Sequence, residues 1–235
     1  MRAIFKREFR AYFTSPLGYI YLAAVFVYSG ILFYINNLQA TSTDMRPLFV
    51  SLCSAGIILI PILTMRLFSE DKKLKTDQAL LTAPITLSEL VLGKFLSSFA
   101  LYLCGSAITL VYALFMSAFS SVSWSMVLGC FIGYALSGAA LIAVGMFISV
   151  LTENQMIAAI ASFVASLFLL TFFDTLVKQI PMAGLRQVLL SLSVVQNFAN
   201  FTIGVIDIAS VVFFVSFAAL FIFFTVRIID KRRWS

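Results

Sequence analysis

Few side chains in this sequence can do chemistry, and their placement excludes most reactions. There is no histidine among the 235 residues, so the commonest metal ligand and proton shuttle is missing. Cys53, Cys104 and Cys130 stand singly in apolar runs. That spacing gives neither a disulfide framework nor paired metal ligands, and the three read as small buried hydrophobes. Gly93-Lys94-Phe95 lacks the upstream glycine and the hydroxyl of a phosphate-binding loop. A Ser/His/Asp set is impossible without histidine. The one dense charged stretch runs from Arg66 to Lys94, RLFSEDKKLKTDQALLTAPITLSELVLGK, with acids at Glu70, Asp71, Asp77 and Glu89. Asp77–Ala83 holds good helix formers, and Pro84 stops them. Leu80 and Leu81 stand apolar on an otherwise polar loop. They mark either a surface that asks for a partner or a solvated turn with the leucines resting on neighbouring helices.

The elements around these residues are set by composition. The chain is 62% hydrophobic and 11% charged, with a mean hydropathy of +1.05. A soluble domain is about half apolar and roughly a quarter charged, so a soluble enzyme, a disordered tail and a secreted disulfide scaffold are excluded. A hydrocarbon core about 30 Å thick needs about 20 apolar residues as a helix. Six stretches qualify: Leu17–Ile35, Leu48–Met65, Val91–Phe119, Trp124–Leu151, Met156–Leu176 and Ile208–Ile229. They are expected to be helices, because lipid offers no partner to open backbone groups. Their runs are too long and continuous for barrel strands.

The net charge of +6 follows the same topology. Thirteen of the sixteen basic residues fall at the two termini or between the second and third spans; Arg46, Lys178 and Arg186 fall on the other side. The positive-inside rule then puts both termini in the cytoplasm, and no nucleic-acid partner is needed to explain the charge. The first span reads as a retained anchor rather than a cleaved signal, being longer than an h-region and lacking a small-residue cleavage site.

Outside the spans, Phe5, Phe9, Tyr12 and Phe13 share a helical face, with Lys6, Arg7 and Arg10 opposite. That pattern suits a helix in the membrane interface, ended by Pro16. The segment Val177–Asp207 is too apolar for a free loop and too broken for a span, and two short helices dipping into the outer leaflet are expected there as a lid. Thr152–Gln155 is too short for a second major docking site. Gly129, Gly133, Gly138 and Gly145 in the fourth span permit close helix approach, within one subunit in preference to a dimer seam. No Asp, Glu, Lys or Arg is expected near the middle of any span, so the usual machinery of an ion-coupled carrier or a charge-ring channel is missing.

Glu70, Asp71, Lys72, Thr76, Asp77, Gln78, Leu80, Leu81, Thr82, Pro84, Gly93 and Lys94 together resemble the motif of ABC-2 type permeases, an acidic pair and basic residues before E/D-Q-x-L-L-T-x-P and a later G-K. Lys75 departs from it, since the family commonly has Gly there. The opening RAIFKREFRAYFTSPLGYIYLA and the ending NFTIGVIDIASVVFF…VRIIDKRRW also look like the gliding-motility-associated branch. The resemblance implies an all-α polytopic membrane protein forming one domain over 1–235. It has six transmembrane helices, an amphipathic elbow helix over 1–15, a coupling segment over 66–90 and short re-entrant outer helices over 177–207.

It further implies the permease subunit of an ATP-driven exporter in the bacterial inner membrane. The expected partners are a second permease copy, a separate ABC ATPase subunit that holds ATP and magnesium, the lipid bilayer and, in some systems, an auxiliary membrane protein. The chain itself would be no enzyme and would hold no cofactor. By this resemblance Glu70, Asp71, Lys72, Thr76, Asp77, Gln78, Leu80, Leu81 and Pro84 belong to the ATPase-coupling segment, and Phe5, Arg7, Phe9 and Arg10 to the elbow helix. The apolar second and fifth spans would suit a lipid-linked, amphipathic or hydrophobic cargo. The alternative is a scaffold that anchors ATPase-driven machinery and transports nothing.

Overall fold

The computed structural model describes residues 1–75, 86–179, 189–204 and 207–233. Among these, every regular element is helical. Helix α1 (Arg2–Thr14) is followed at once by α2 (Pro16–Phe33), with Pro16 at the first helical position, where its missing N–H costs nothing. A π-helical turn, Tyr34–Gln39, extends α2. Its buried Asn37 donates to the carbonyls of Ser42 (2.9 Å) and Asp44 (3.1 Å) and so holds the turn into α3 (Arg46–Thr64). A short α4 (Ser69–Lys73) follows.

Helices α5 (Leu87–Ser106) and α6 (Ile108–Ser117) form one span with a break at Ala107. A capping box starts α5: Glu89 N–H donates to Thr86 Oγ1, and Thr86 N–H donates back to the Glu89 carboxylate, which satisfies two otherwise orphaned donors. Then come α7 (Trp124–Leu151), α8 (Gln155–Gln179), α9 (Val194–Thr202) and α10 (Ile208–Arg233).

Among the described residues, six segments are long and apolar enough to cross a membrane: Pro16–Gln39, Arg46–Lys73, Leu87–Ser117, Trp124–Leu151, Gln155–Val177 and Ile208–Lys231. Each contains the core of one stretch picked out by hydropathy. α7 is the central post, with 67% of its most apolar window buried against 22% for the last two spans. It packs on α3, α5, α8, α9 and α10. Lipid tails are as apolar as leucine, so such helices are held by close contact rather than by escape from water. The glycines of α7 provide that contact within the chain. A Cβ on Gly133 would stand 2.8 Å from the Phe201 ring, and one on Gly138 would stand 2.2 Å from the Tyr102 ring. Of the two outer helices expected in 177–207, α9 is present, burying Val194, Asn197, Phe198 and Phe201. Residues 180–188 lie outside the described residues.

Candidate functional site at the termini-bearing end

One end of the bundle gathers α1, the C-terminal end of α3, α4, the first turns of α5 and the last turn of α7. At its centre is Lys94. Its place in the second turn of α5, on the side occupied by Val91 and Leu90, leaves it 1% exposed. Burying an ammonium is costly unless it is paired and hydrogen-bonded, and Lys94 donates to one carbonyl and forms ion pairs with two carboxylates. Nζ lies 2.7 Å from Leu67 O, 2.7 Å from Asp71 Oδ2 and 3.2 Å from Glu8 Oε1. The Phe68 ring lies 5.2 Å away and adds a cation–π contact. One cation thus fastens α5 to α1, to α4 and to the link between α3 and α4. Arg7 pairs with Glu8 at 2.6 Å, which leaves Arg7, Glu8, Asp71 and Lys94 formally neutral as a group.

A second pair lies beside the first. Arg66 and Glu70 pair one helical turn apart, and Arg66 Nη1 donates to Ser15 Oγ at 2.8 Å. Tyr12 Oη shares a hydrogen bond with Ser98 Oγ at 2.9 Å and donates to Leu63 O at 3.3 Å. Burial pushes the Tyr12 phenol well above its ordinary range, so it stays neutral. The groups surround a cleft of about 290 Å³ lined by Arg7, Glu8, Tyr12, Arg66, Asp71 and Lys94, among others.

The last turn of α7 completes the anchorage. Ser149 Oγ accepts from the N–H groups of Phe68 and Ser69, each at 3.1 Å, and donates to Met65 O at 3.1 Å. Lys72 Nζ donates to Val150 O, a cation at a helix C-terminus, where the macrodipole favours it. Residues Arg66–Lys73 are thereby tied to α1, α5 and α7 together.

Sequence reasoning placed Glu70, Asp71 and Lys72 in the coupling segment. The structure gives all three partners within the chain. Thr76, Asp77, Gln78, Leu80, Leu81 and Pro84 lie outside the described residues. On α1, Phe5, Phe9 and Phe13 form a ring ladder with spacings of 5.7 and 5.2 Å, continued to Tyr19 at 5.9 Å. The face that docks, however, is Ile4, Glu8 and Tyr12, so the aromatic ladder flanks the buried side instead of forming it. Its contacts advance along α5 from Glu89 through Gly93 to Ser98. Glu8 and the burial of Lys94 were missed. Their signal was a lone acid four residues from Ile4 and from Tyr12, and a lone lysine among apolar span residues.

Lys75, the departure from the family motif, has φ 56°. Its N–H donates to Lys72 O at 3.0 Å. This is the left-handed conformation that ends a helix and that glycine adopts without cost.

The family model for the ABC-2 type transporter matches residues 1–182. The chain belongs to the ABC-2 type transporter family. That family is the membrane-embedded component of an ABC transporter and not its ATP-binding component, and membership implies association with an ABC ATPase and with a second membrane domain. The matched region of this ABC-2 chain includes α1, the Arg66–Lys75 anchorage and Lys94. No curated protein matches the chain.

Proposed function

We propose that this chain is the permease subunit of an ATP-driven exporter, working in a pair and driven through residues 66–90 by a separate ATPase. The observation that carries this is the anchorage of Arg66–Lys73. A segment that only bridged two spans would need no buried ion pair, no serine bracket and no capping lysine. Tied to α1, α5 and α7 as it is, the segment moves only with the ends of those helices. A push on the adjoining residues 76–85 is therefore delivered to several spans at once. In this role Leu80 and Leu81 are apolar anchors in the ATPase cleft, and Thr76, Asp77, Gln78 and Pro84 shape the docking helix. Glu70, Asp71 and Lys72 act as its rigid mount.

ATP and magnesium belong to the partner, whose closure moves the mount and switches the passage between two exposures. The termini-bearing end faces the cytoplasm by its basic residues, which fits an inner membrane. The apolar second and fifth spans suit a lipid-linked or amphipathic cargo. The likeness of the first and last segments to gliding-motility permeases is the sole support for that branch. Reconstitution with its ABC ATPase tests export. ATP hydrolysis should rise on adding an amphipathic or lipid-linked cargo. Hydrolysis indifferent to every such cargo would replace the exporter with a force-transmitting scaffold.

A further inference from the structure

Helix α1 carries four ridges, of which the one through Ala3, Arg7 and Ala11 has its cation paired with Glu8. Ile4, Glu8 and Tyr12 dock on α5. Phe5, Phe9 and Phe13 form the ladder that leads to Tyr19, a residue 58% exposed on the first span. Arg2, Lys6 and Arg10, each four residues from the next, are exposed on the remaining side. Among the described residues the ion pairs of α1 belong to the amino terminus, Arg7 and Glu8, none of them on this last ridge. A shallow groove of about 530 Å³ runs beside it, lined by Ala3, Lys6, Arg7, Arg10, Ala11 and Thr14.

We propose that the ridge Arg2, Lys6 and Arg10 binds the headgroups of anionic phospholipids. The aromatic ladder sets the depth. Apolar rings on a basic amphipathic helix sit at the boundary between headgroups and acyl chains, and this ladder lies next to the cations, with Tyr19 carrying it onto the exposed face of the first span. The docked ridge sets the orientation, because Glu8 and Tyr12 fix the helix and leave the cations aimed away from the protein. Three cations on a fixed helix face need little further ordering to meet phosphates, and each cation near an anionic leaflet is worth about fivefold in partition. An acidic protein surface would match the charge but not the adjoining aromatic ladder. Binding of lipid here requires only the full chain in a bilayer, so it stands or falls separately from the ATPase.

The test uses the purified full chain taken from phosphatidylcholine vesicles with and without phosphatidylglycerol, with retained lipid counted by mass spectrometry. The unaltered chain should retain phosphatidylglycerol over phosphatidylcholine, and raised salt should strip it. R2Q/K6Q/R10Q should lose at least about tenfold of that preference. The charge-conserving R2K/K6R/R10K should keep it, which separates charge from misfolding. The idea is overturned if the glutamine variant retains phosphatidylglycerol like the parent. It is equally overturned if K231Q/R232Q/R233Q loses as much, since the preference would then be general charge. Displacement of the lipid by soluble polyglutamate at equal charge concentration would assign the ridge to a protein partner instead.

Discussion

Lys94 on α5 and Asp71 on α4 meet at 2.7 Å beneath the surface of the bundle, joining the start of one span to the segment that follows another. Lys94 is almost wholly enclosed, whereas the Asp71 side chain keeps 19% of its exposure. The two partners are therefore unequal in what their removal leaves behind. Losing the lysine takes the cation from two partly wetted carboxylates, of which Glu8 keeps Arg7. Losing the aspartate strands a buried ammonium that still has Glu8 and Leu67 O.

Lys94→Met should lower stability by about 3 kcal/mol, the lower end of the range for breaking a buried pair, because both carboxylates retain some water. Thermal unfolding in detergent checks this. The pair Lys94→Met with Asp71→Asn should cost less than the two single changes added, as expected of groups in contact. Strict additivity would mean that the pair is not formed.

Lys75→Gly should raise the unfolding midpoint slightly, by about 1 kcal/mol in stability, by relieving the left-handed conformation. Lys75→Val should lower it, because a β-branched residue is strained at positive φ. Equal midpoints for the two variants would place Lys75 in an ordinary helical conformation.

Gly138→Ala should cost about 1–3 kcal/mol through overpacking against Tyr102. Gly138→Ala with Tyr102→Leu should recover part of that loss. Tyr102→Phe alone should cost about 1 kcal/mol, the worth of its hydrogen bond to Tyr134 O. Thermal midpoints of the three variants decide between close helix contact and a slack interface.

Most of the fold was legible because lipid imposes a length and apolarity that hydropathy reads directly. The break at Pro16 and the stop before Trp124 were visible for the same reason. What stayed hidden was which faces meet. Ile4, Glu8 and Tyr12 carry the docking face of α1, but Phe5, Phe9 and Phe13 are the more apolar set, so pattern alone does not show which ridge meets α5. Lys94 looked like a topological charge at a span entrance. Its burial depends on Glu8 and Asp71 arriving from segments 86 and 23 residues away, which no local window contains. The Lys75 departure drew attention to the turn, and its φ explains why glycine suits that position.

At the opposite end, Asp207 starts α10. Its carboxylate accepts from Ser210 Oγ at 2.7 Å, from Ser210 and Ala209 N–H and from Asn200 Nδ2. The Ser210 hydroxyl bond holds this carboxyl below its ordinary range. A lowered folded-state value means the contribution is fully present above the unfolded value of about 3.9 and is lost as pH falls through the folded one. Amide exchange near the α9–α10 junction should therefore be insensitive to Asp207 ionisation from pH 8 down to about pH 4 and should loosen only below that. Asp207→Asn should abolish the acid-induced step. Loosening near neutral pH would contradict the assignment.

The most direct test of the central claim is co-purification of the ATPase with the full-length chain, unaltered and carrying Leu80→Asp with Leu81→Asp. The account predicts that the unaltered chain brings down its ATPase and that the double variant loses it, while the variant stays monodisperse with an unchanged thermal midpoint. Full recovery of the ATPase by the double variant would contradict it.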